Sequence, residues 1–202
     1  MPLQAFAALL ESEVLQHVFA CWRRARTDWR TPAWQAIAAL EDPVIAEYGW
    51  AWRLEPSRGD FVSFLMGPRP REMYGYDAVG CSVAEFYHGP IAETIETNMR
   101  QVIGGPMLHR AAGIIAWREG RADLGERMVL PIRYASDGAP DALMGATVFD
   151  YTMLGAIAPA TPPVPTTEMM PLYPEEDGPS TGEALASVAS AARPEPDGKA
   201  RP

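Results

Sequence analysis

Hydrophobic positions in the first 54 residues recur at helical spacing and then at strand spacing. Apolar side chains stand three or four residues apart from Leu3 to Trp22, which predicts one amphipathic helix over residues 3–25. Thr31-Pro32 supplies a capping residue and a proline at the first helical position, so a second helix is expected there. Residues 50–54 alternate large apolar residues with others and predict the first strand.

The stretch from residue 61 to 88 organises the rest of the predicted domain. Its first six residues form an apolar run of strand length, which predicts the second strand over residues 61–66. Gly75 and Gly80 then divide the chain into short pieces with apolar anchors. Such short helical turns are expected to form a layer over one face of a sheet, the helical wall, with space for a pocket between the two. A longer amphipathic helix follows over residues 90–103.

Three further strands are predicted after this helix, at residues 107–118, 127–134 and 141–151. From about residue 156 the apolar pattern stops, and half of the chain's 20 prolines lie between there and the end. Small and acidic residues dominate this part. Such a segment cannot bury enough surface to offset its ordering entropy, so a disordered tail is expected.

This order of elements predicts an α+β fold, with helices on one face of a five-stranded antiparallel sheet. The chain divides into an N-terminal helical extension at residues 1–43, a domain at 44–155 and a disordered, proline-rich tail at 156–202. The first helix is expected outside the α+β unit. Its apolar face is broad enough to pack on the chain's own sheet or on a second subunit.

Composition narrows the class of partner and the compartment. The formal charge is −9, and Lys199 is the single lysine among 17 basic residues, which argues against binding to nucleic acid or to an anionic membrane. No stretch reaches the roughly 20 apolar residues of a membrane span, and no secretory signal begins the sequence. Cys21 and Cys81 lack CxxC spacing, so free thiols in a reducing, cytoplasmic location are expected.

The pattern of aromatic residues, glycines and turns resembles a PAS domain, and in particular the small bacterial PAS-type proteins with a tryptophan-containing helical lead. The likeness covers about residues 15 to 151. It implies the strand order 2-1-5-4-3 and a pocket between sheet and helices. The residues that carry it are Phe19 to Trp22 with the following arginines and Thr31-Pro32, the strand 61–66 ending at Gly67, Tyr74 to Gly80, and Val129 to Ile132 with Ser136-Asp137-Gly138.

PAS domains can hold haem, flavin, a small metabolite or nothing. Cys81 lacks the preceding Arg-Asn pair of a photoactive flavin domain, and the later strands lack the amide side chains that would bind a flavin ring. Haem needs an axial ligand in an apolar cavity, and lone histidines such as His17, His88 and His109 are more often ordinary polar residues. The histidines also lack metal-ligand spacing. The cofactor stays unassigned, and no metal site is predicted.

No nucleophile with a base and no phosphate loop is recognisable, so we do not expect an enzyme. What remains is a pocket lined by aromatic residues and methionines, although the same residues also fit a solid core. The candidate ligand-binding residues are Phe64, Tyr74, Phe86, Tyr87, Trp117, Met128, Leu130 and Met144, with Met99 beside them.

Two functions are compatible with this pattern. The first is a sensory or regulatory PAS module that binds a small, largely apolar ligand, forms a homodimer and signals in trans through a partner protein. The sequence shows no kinase, cyclase or DNA-binding module, which is why the signal would have to pass to another chain. The alternative is a ligand-free PAS-fold interaction adaptor that self-associates through its N-terminal helix.

Overall fold

The computed structural model describes residues 2–27, 30–87, 90–118, 121–135, 137–150 and 165–172. These residues contain seven helices and six strands. The helices are α1 (Pro2–Leu9), α2 (Glu13–Arg24), α3 (Trp34–Ala38), α4 (Pro43–Tyr48), α5 (Pro68–Tyr74), α6 (Val83–Phe86) and α7 (Pro90–Gly104). The strands are β1 (Gly49–Glu55), β2 (Asp60–Met66), β3 (Met107–Arg118), β4 (Arg121–Ile132), β5 (Ala142–Phe149) and β6 (Thr166–Pro171).

All six strands belong to one antiparallel sheet with the order β2-β1-β5-β4-β3-β6. The mixed helix-and-sheet class and the antiparallel sheet predicted from the sequence are therefore confirmed. The order 2-1-5-4-3, which the resemblance implies, is present within the sheet. The predicted number of five strands is wrong, because a sixth strand extends the β3 edge.

The sixth strand lies within the segment assigned to the disordered tail. Residues 166–171 pair with Met107–Ala112 of β3, and Leu172 after them is only 4% exposed. Two threonines favour an extended backbone here, and the pairing supplies hydrogen bonds that the sequence pattern does not show. The compact unit therefore runs to Leu172, beyond the expected boundary at residue 155.

The predicted single helix over residues 3–25 is two helices. Between α1 and α2, the backbone N–H groups of Glu11 and Ser12 donate to the two carboxylate oxygens of Glu126 at 3.1 and 2.8 Å. These amides lie immediately before α2, whose N-cap is Ser12, and a negative charge is favourable at this end of a helix. The Glu126 carboxylate on β4 thus breaks the helix and holds its second half on the sheet.

Helices cover both faces of the sheet, not one as predicted. The Trp22 side chain of α2 is fully buried, and its Nε1 donates to the carbonyl of Pro131 at 3.0 Å. The N-terminal helices are therefore part of the core and not an addition outside it. On the opposite face, α5, α6 and α7 form the helical wall. None of the helices in the described ranges is long and apolar enough to cross a bilayer.

Arg110 of β3 connects the N-terminal helices to the sheet and to β6. Its guanidinium donates to Glu126 at 2.6 Å, to Glu11 at 2.9 Å and to Glu168 of β6 at 3.2 Å. The side chains of Arg110 and Glu126 are only 5% and 9% exposed. Because this pair is largely shielded from water, each charge is stabilised mainly by the other and not by hydration.

We expect Arg110→Met to lower the free energy of unfolding by about 3–5 kcal/mol, because it leaves the buried Glu126 carboxylate without a counter-charge. Arg58→Met, in the exposed β1–β2 turn, should change it by less than about 0.5 kcal/mol. Urea denaturation of both variants measures the difference. The double variant Arg110→Met/Glu126→Gln should recover part of the loss, since the neutral amide needs no counter-charge and keeps an acceptor oxygen for one of the two backbone N–H groups. Equal stabilities of the two single variants would contradict this role of Arg110.

A pair of truncations tests whether β6 belongs to the fold. Ending the chain after Leu172 should leave the free energy of unfolding unchanged. Ending it after residue 164 should lower it by at least about 2 kcal/mol, because burial of a leucine side chain alone contributes about 1.5–3 kcal/mol. Chemical denaturation compares the two chains with the full-length protein. If both truncations have the same stability, β6 contributes nothing to the fold.

Candidate ligand-binding site

Two small cavities lie between the sheet and the wall formed by α5, α6 and α7. One has a volume of about 20 Å³ and is bounded mainly by β1, β2, α5 and α6. The other has a volume of about 50 Å³ and lies beneath α7. Trp50, Tyr87 and Arg127 line both of them. These three side chains therefore separate the two cavities, and the cavities together form the candidate site.

The structure brings only part of the predicted lining to this site. Tyr74 and Phe86 line the smaller cavity, Met99 lines the larger one, and Tyr87 lines both. The rings of Tyr74 and Phe86 pack edge to face with centroids 5.0 Å apart. The side chain of Trp117 lies outside what the structure describes.

Met128, Leu130 and Met144 lie on the other face of the sheet. Successive side chains of a strand point to opposite faces, and Arg127 and Val129 line the cavity, so their neighbours on β4 face the N-terminal helices. Met144 stands opposite Leu130 in the β4–β5 pairing and shares its face. All three are fully buried, so they serve as core.

Phe64 is also outside the cavities. Its ring packs against that of Trp34, the first residue of α3, at 5.1 Å between centroids, and against that of Tyr134 at 4.7 Å. The prediction assigned the most apolar positions of the strands to the pocket. The structure instead covers those positions with the N-terminal helices, and it leaves the cavities on the face where polar and apolar residues mix.

Trp50 was not among the predicted site residues, yet it lines both cavities. Its ring lies directly over Gly145, where a Cβ would collide with the indole and with the carbonyl of Met128. The indole Nε1 donates to the hydroxyl of Thr147 at 2.9 Å. Glycine and threonine two residues apart on β5 thus place the tryptophan flat against the sheet. A Gly-x-Thr sequence alone does not reveal this role.

Arg127 supplies the positive charge of the site. Its Nη2 donates to the Tyr74 hydroxyl at 2.7 Å and to the carbonyl of Ile115 at 3.2 Å, and its Nε donates to the Thr147 hydroxyl at 3.4 Å. Each of these partners is an uncharged group. Within the described part of the chain, no carboxylate lies within ion-pair distance of this guanidinium.

The phenols around Arg127 do not neutralise its charge. Burial, together with the nearby Tyr74, raises the pKa of Tyr87 well above its ordinary value. Tyr87 therefore stays a neutral phenol at physiological pH. A half-buried guanidinium surrounded by neutral dipoles still favours an anion at close range.

His109 is a further polar residue of the larger cavity, which Tyr87, Asn98 and Arg127 also line. The residue is 7% exposed, and its Nδ1 has no hydrogen-bond partner among the described residues. Burial, with a contribution from the charge of Arg127, lowers the pKa of His109 to about 4. The imidazole is therefore neutral at physiological pH. A buried polar atom without a partner is uncommon in folded proteins and marks a position where a ligand atom or a water could bind.

The residues that could bind a metal ion lie away from the cavities, among the N-terminal helices. His17 and Cys21 of α2 and Asp42 before α4 bring three ligand atoms within 4.8 Å of one another. The sequence signal that could have revealed this group is the His-x-x-x-Cys spacing on α2, which places both side chains on one helix face.

Comparison of the chain with protein-family models, with curated proteins and with solved structures finds no match. The site can therefore be interpreted only through its own geometry.

The buried His109 makes stability depend on pH. An unfolded His109 takes up a proton near its ordinary pKa of 6.5, whereas the folded residue takes it up only near 4. Between these values the unfolded chain binds more protons, so stability falls as the pH is lowered. The loss attributable to this residue should reach about 3 kcal/mol near pH 4.

Urea denaturation from pH 7 to pH 4.5 measures this effect as the difference between the wild-type protein and His109→Leu. The carboxylates titrate in both proteins and cancel in the comparison. The wild-type protein should lose stability more steeply. Parallel pH profiles would show that His109 is not held neutral in the folded state.

Proposed function

We propose that this protein is a PAS-type sensory or regulatory module that binds a small carboxylate with an apolar body between its sheet and its helical wall. Arg127 holds the carboxylate, and the apolar body packs among Trp50, Tyr87 and Met99. The bound state is then passed to a partner protein in the cytoplasm, because no output module has been recognised in the sequence.

The strand order and the position of the wall support the PAS assignment. The described residues contain the order 2-1-5-4-3 with short helices and one longer helix on one face. The additional strand β6 and the N-terminal helices on the second face depart from the simple pattern. They enclose the apolar face of the sheet and do not obstruct the side on which the ligand is proposed to bind.

The single observation that carries the proposal is Arg127, a cation beside a cavity whose hydrogen-bond partners among the described residues are all neutral. Guanidinium groups pair with carboxylates through two parallel hydrogen bonds, and such charge-assisted bonds are stronger than neutral ones. His109 lines the same cavity, and its Nδ1, which has no hydrogen-bond partner in the described part of the chain, is available for a further polar contact. Isoleucine, methionine and valine side chains of α7 and β4 provide the apolar surface.

The size of the cavities limits the ligand. A volume of about 50 Å³ admits a carboxylate group, whereas ordinary ligand pockets are about 300–1,000 Å³. The proposal therefore requires the side chains between the two cavities to move when the apolar body enters. Tyr87, directly after α6 in the helical wall, lies between the two cavities and is the side chain that would have to move.

The adaptor alternative depends on an apolar helix face that could meet a second subunit. In the structure, the apolar residues of α2 are buried in the chain's own core: Leu15, Val18, Phe19, Cys21 and Trp22. This face is covered, so no observation in the structure favours self-association through it.

Isothermal titration with acetate, butyrate and hexanoate tests the proposal. Affinity should rise by roughly fourfold for each added methylene until the cavity is filled, because each buried methylene contributes about 0.8 kcal/mol. Arg127→Met should weaken butyrate binding by about 10- to 100-fold, the loss expected for a hydrogen bond to a charged group. Arg100→Met removes an exposed charge from α7 and should bind butyrate like the wild-type protein.

Butyramide serves as the neutral ligand of equal size and should bind much more weakly than butyrate. Equal binding of the amide and the acid, or unchanged butyrate binding by Arg127→Met, would overturn the carboxylate site. Native mass spectrometry of freshly purified protein adds an independent measurement. An excess mass that is lost on denaturation would give the mass of a natural ligand.

A further inference from the structure

His17, Cys21 and Asp42 bring a nitrogen, a sulfur and an oxygen to one point at the junction of α2 and α4. We propose that these three side chains bind a Zn²⁺ ion. The site is independent of the cavity described above, because it lies among the N-terminal helices and shares no residue with it.

Two elements of different kinds position the three ligands. His17 and Cys21 are four residues apart on α2, so they project from the same helix face. Asp42 precedes α4 and caps it, with Oδ1 accepting from the backbone N–H groups of Val44 and Ile45 at 3.0 and 3.1 Å. The cap fixes the carboxylate, and its second oxygen, Oδ2, points to the other two ligands.

The separations are close to those of a tetrahedral zinc site. Bond lengths of about 2.3 Å to sulfur and about 2.0–2.1 Å to nitrogen or oxygen put the sulfur about 3.5 Å from the other ligand atoms. Sγ of Cys21 lies 3.5 Å from Nε2 of His17 and 3.4 Å from Oδ2 of Asp42. Nε2 and Oδ2 are 2.8 Å apart, joined by a hydrogen bond, and need to separate by roughly half an ångström.

The arrangement differs from a cysteine–histidine–aspartate catalytic triad. In a triad the two ring nitrogens of the histidine face different partners, one the nucleophile and the other the carboxylate. Here the same nitrogen, Nε2, faces both Cys21 and Asp42. Three ligand atoms that all face each other enclose a position for an ion and do not form a proton relay.

The surroundings suit a bound cation with one open coordination position. Cys21 is 3% exposed and the Asp42 side chain 10% exposed, whereas the His17 side chain is 49% exposed. The site is therefore anchored on the inside and reachable from solvent on the His17 side. Three protein ligands and one water are a usual zinc coordination, and a thiolate ligand favours zinc over magnesium or calcium.

A metal ion here would link α2 to the start of α4. Because α4 leads directly into β1, the ion would also fix the strand that carries Trp50. We therefore expect Zn²⁺ to raise the thermal midpoint of the metal-free protein, since a ligand that binds only the folded state stabilises it.

Titration of the chelator-treated protein with Co²⁺, a spectroscopic substitute for Zn²⁺, tests the site. One equivalent per chain should give a thiolate-to-cobalt charge-transfer band and the visible bands of a tetrahedral ion, and Zn²⁺ should displace both. Cys21→Ser should lose the charge-transfer band. Cys81→Ser is the matched control, because it removes the other free cysteine and should retain the full spectrum.

His17→Gln and Asp42→Asn provide variants that should fold, since the first side chain is half exposed and the second retains the capping oxygen. Each should bind Co²⁺ at least about 10-fold more weakly than the wild-type protein. The proposal is overturned if the wild-type protein gives no charge-transfer band, or if the band persists in Cys21→Ser. Unchanged affinity of both ligand variants would overturn it as well.

Discussion

The ion pair between Arg110 and Glu126 is the contact on which the architecture depends. Glu126 accepts from the two backbone amides that immediately precede α2, and Arg110 supplies the positive charge that stabilises a carboxylate at this buried position. The same guanidinium reaches Glu168 on β6. Three segments that are far apart in sequence therefore meet at one side chain. As a result, the N-terminal helices of the same chain cover the apolar face of the sheet.

Arginines on the two faces of the sheet have different kinds of hydrogen-bond partner. Arg110 on the closed face meets three carboxylates, whereas Arg127 on the cavity face meets two hydroxyls and a carbonyl. The first arginine completes a structural network. The second leaves a positive charge beside a cavity that His109 also lines, and the buried Nδ1 of His109 has no hydrogen-bond partner within the described ranges. This difference is why we propose that a ligand binds on the cavity face.

Strand alternation and glycine punctuation were sufficient to predict the first five strands and the helical wall, because these signals are local. Which face of the sheet carries the cavities depends on contacts between residues that are distant in sequence, and local sequence patterns do not predict such contacts. Met128 and Leu130 had the right spacing for a pocket lining, yet the N-terminal helices cover them. The break before α2 was missed for a similar reason, since the apolar spacing continues through it while Glu126 stands 114 residues away from Ser12. Strand β6 was missed because its stability comes from pairing with β3 and from Glu168, within a proline-rich background.

The side-chain Nε–H resonances of the arginines in ¹⁵N-labelled protein would test the central claim most directly during a titration with butyrate. If Arg127 binds the carboxylate, its resonance should shift with a saturable dependence on butyrate, while the resonance of the fully paired Arg110 stays in place. A stationary Arg127 resonance, or equal small shifts of all arginines, would contradict a ligand site at the cavity and leave Arg127 as part of the core.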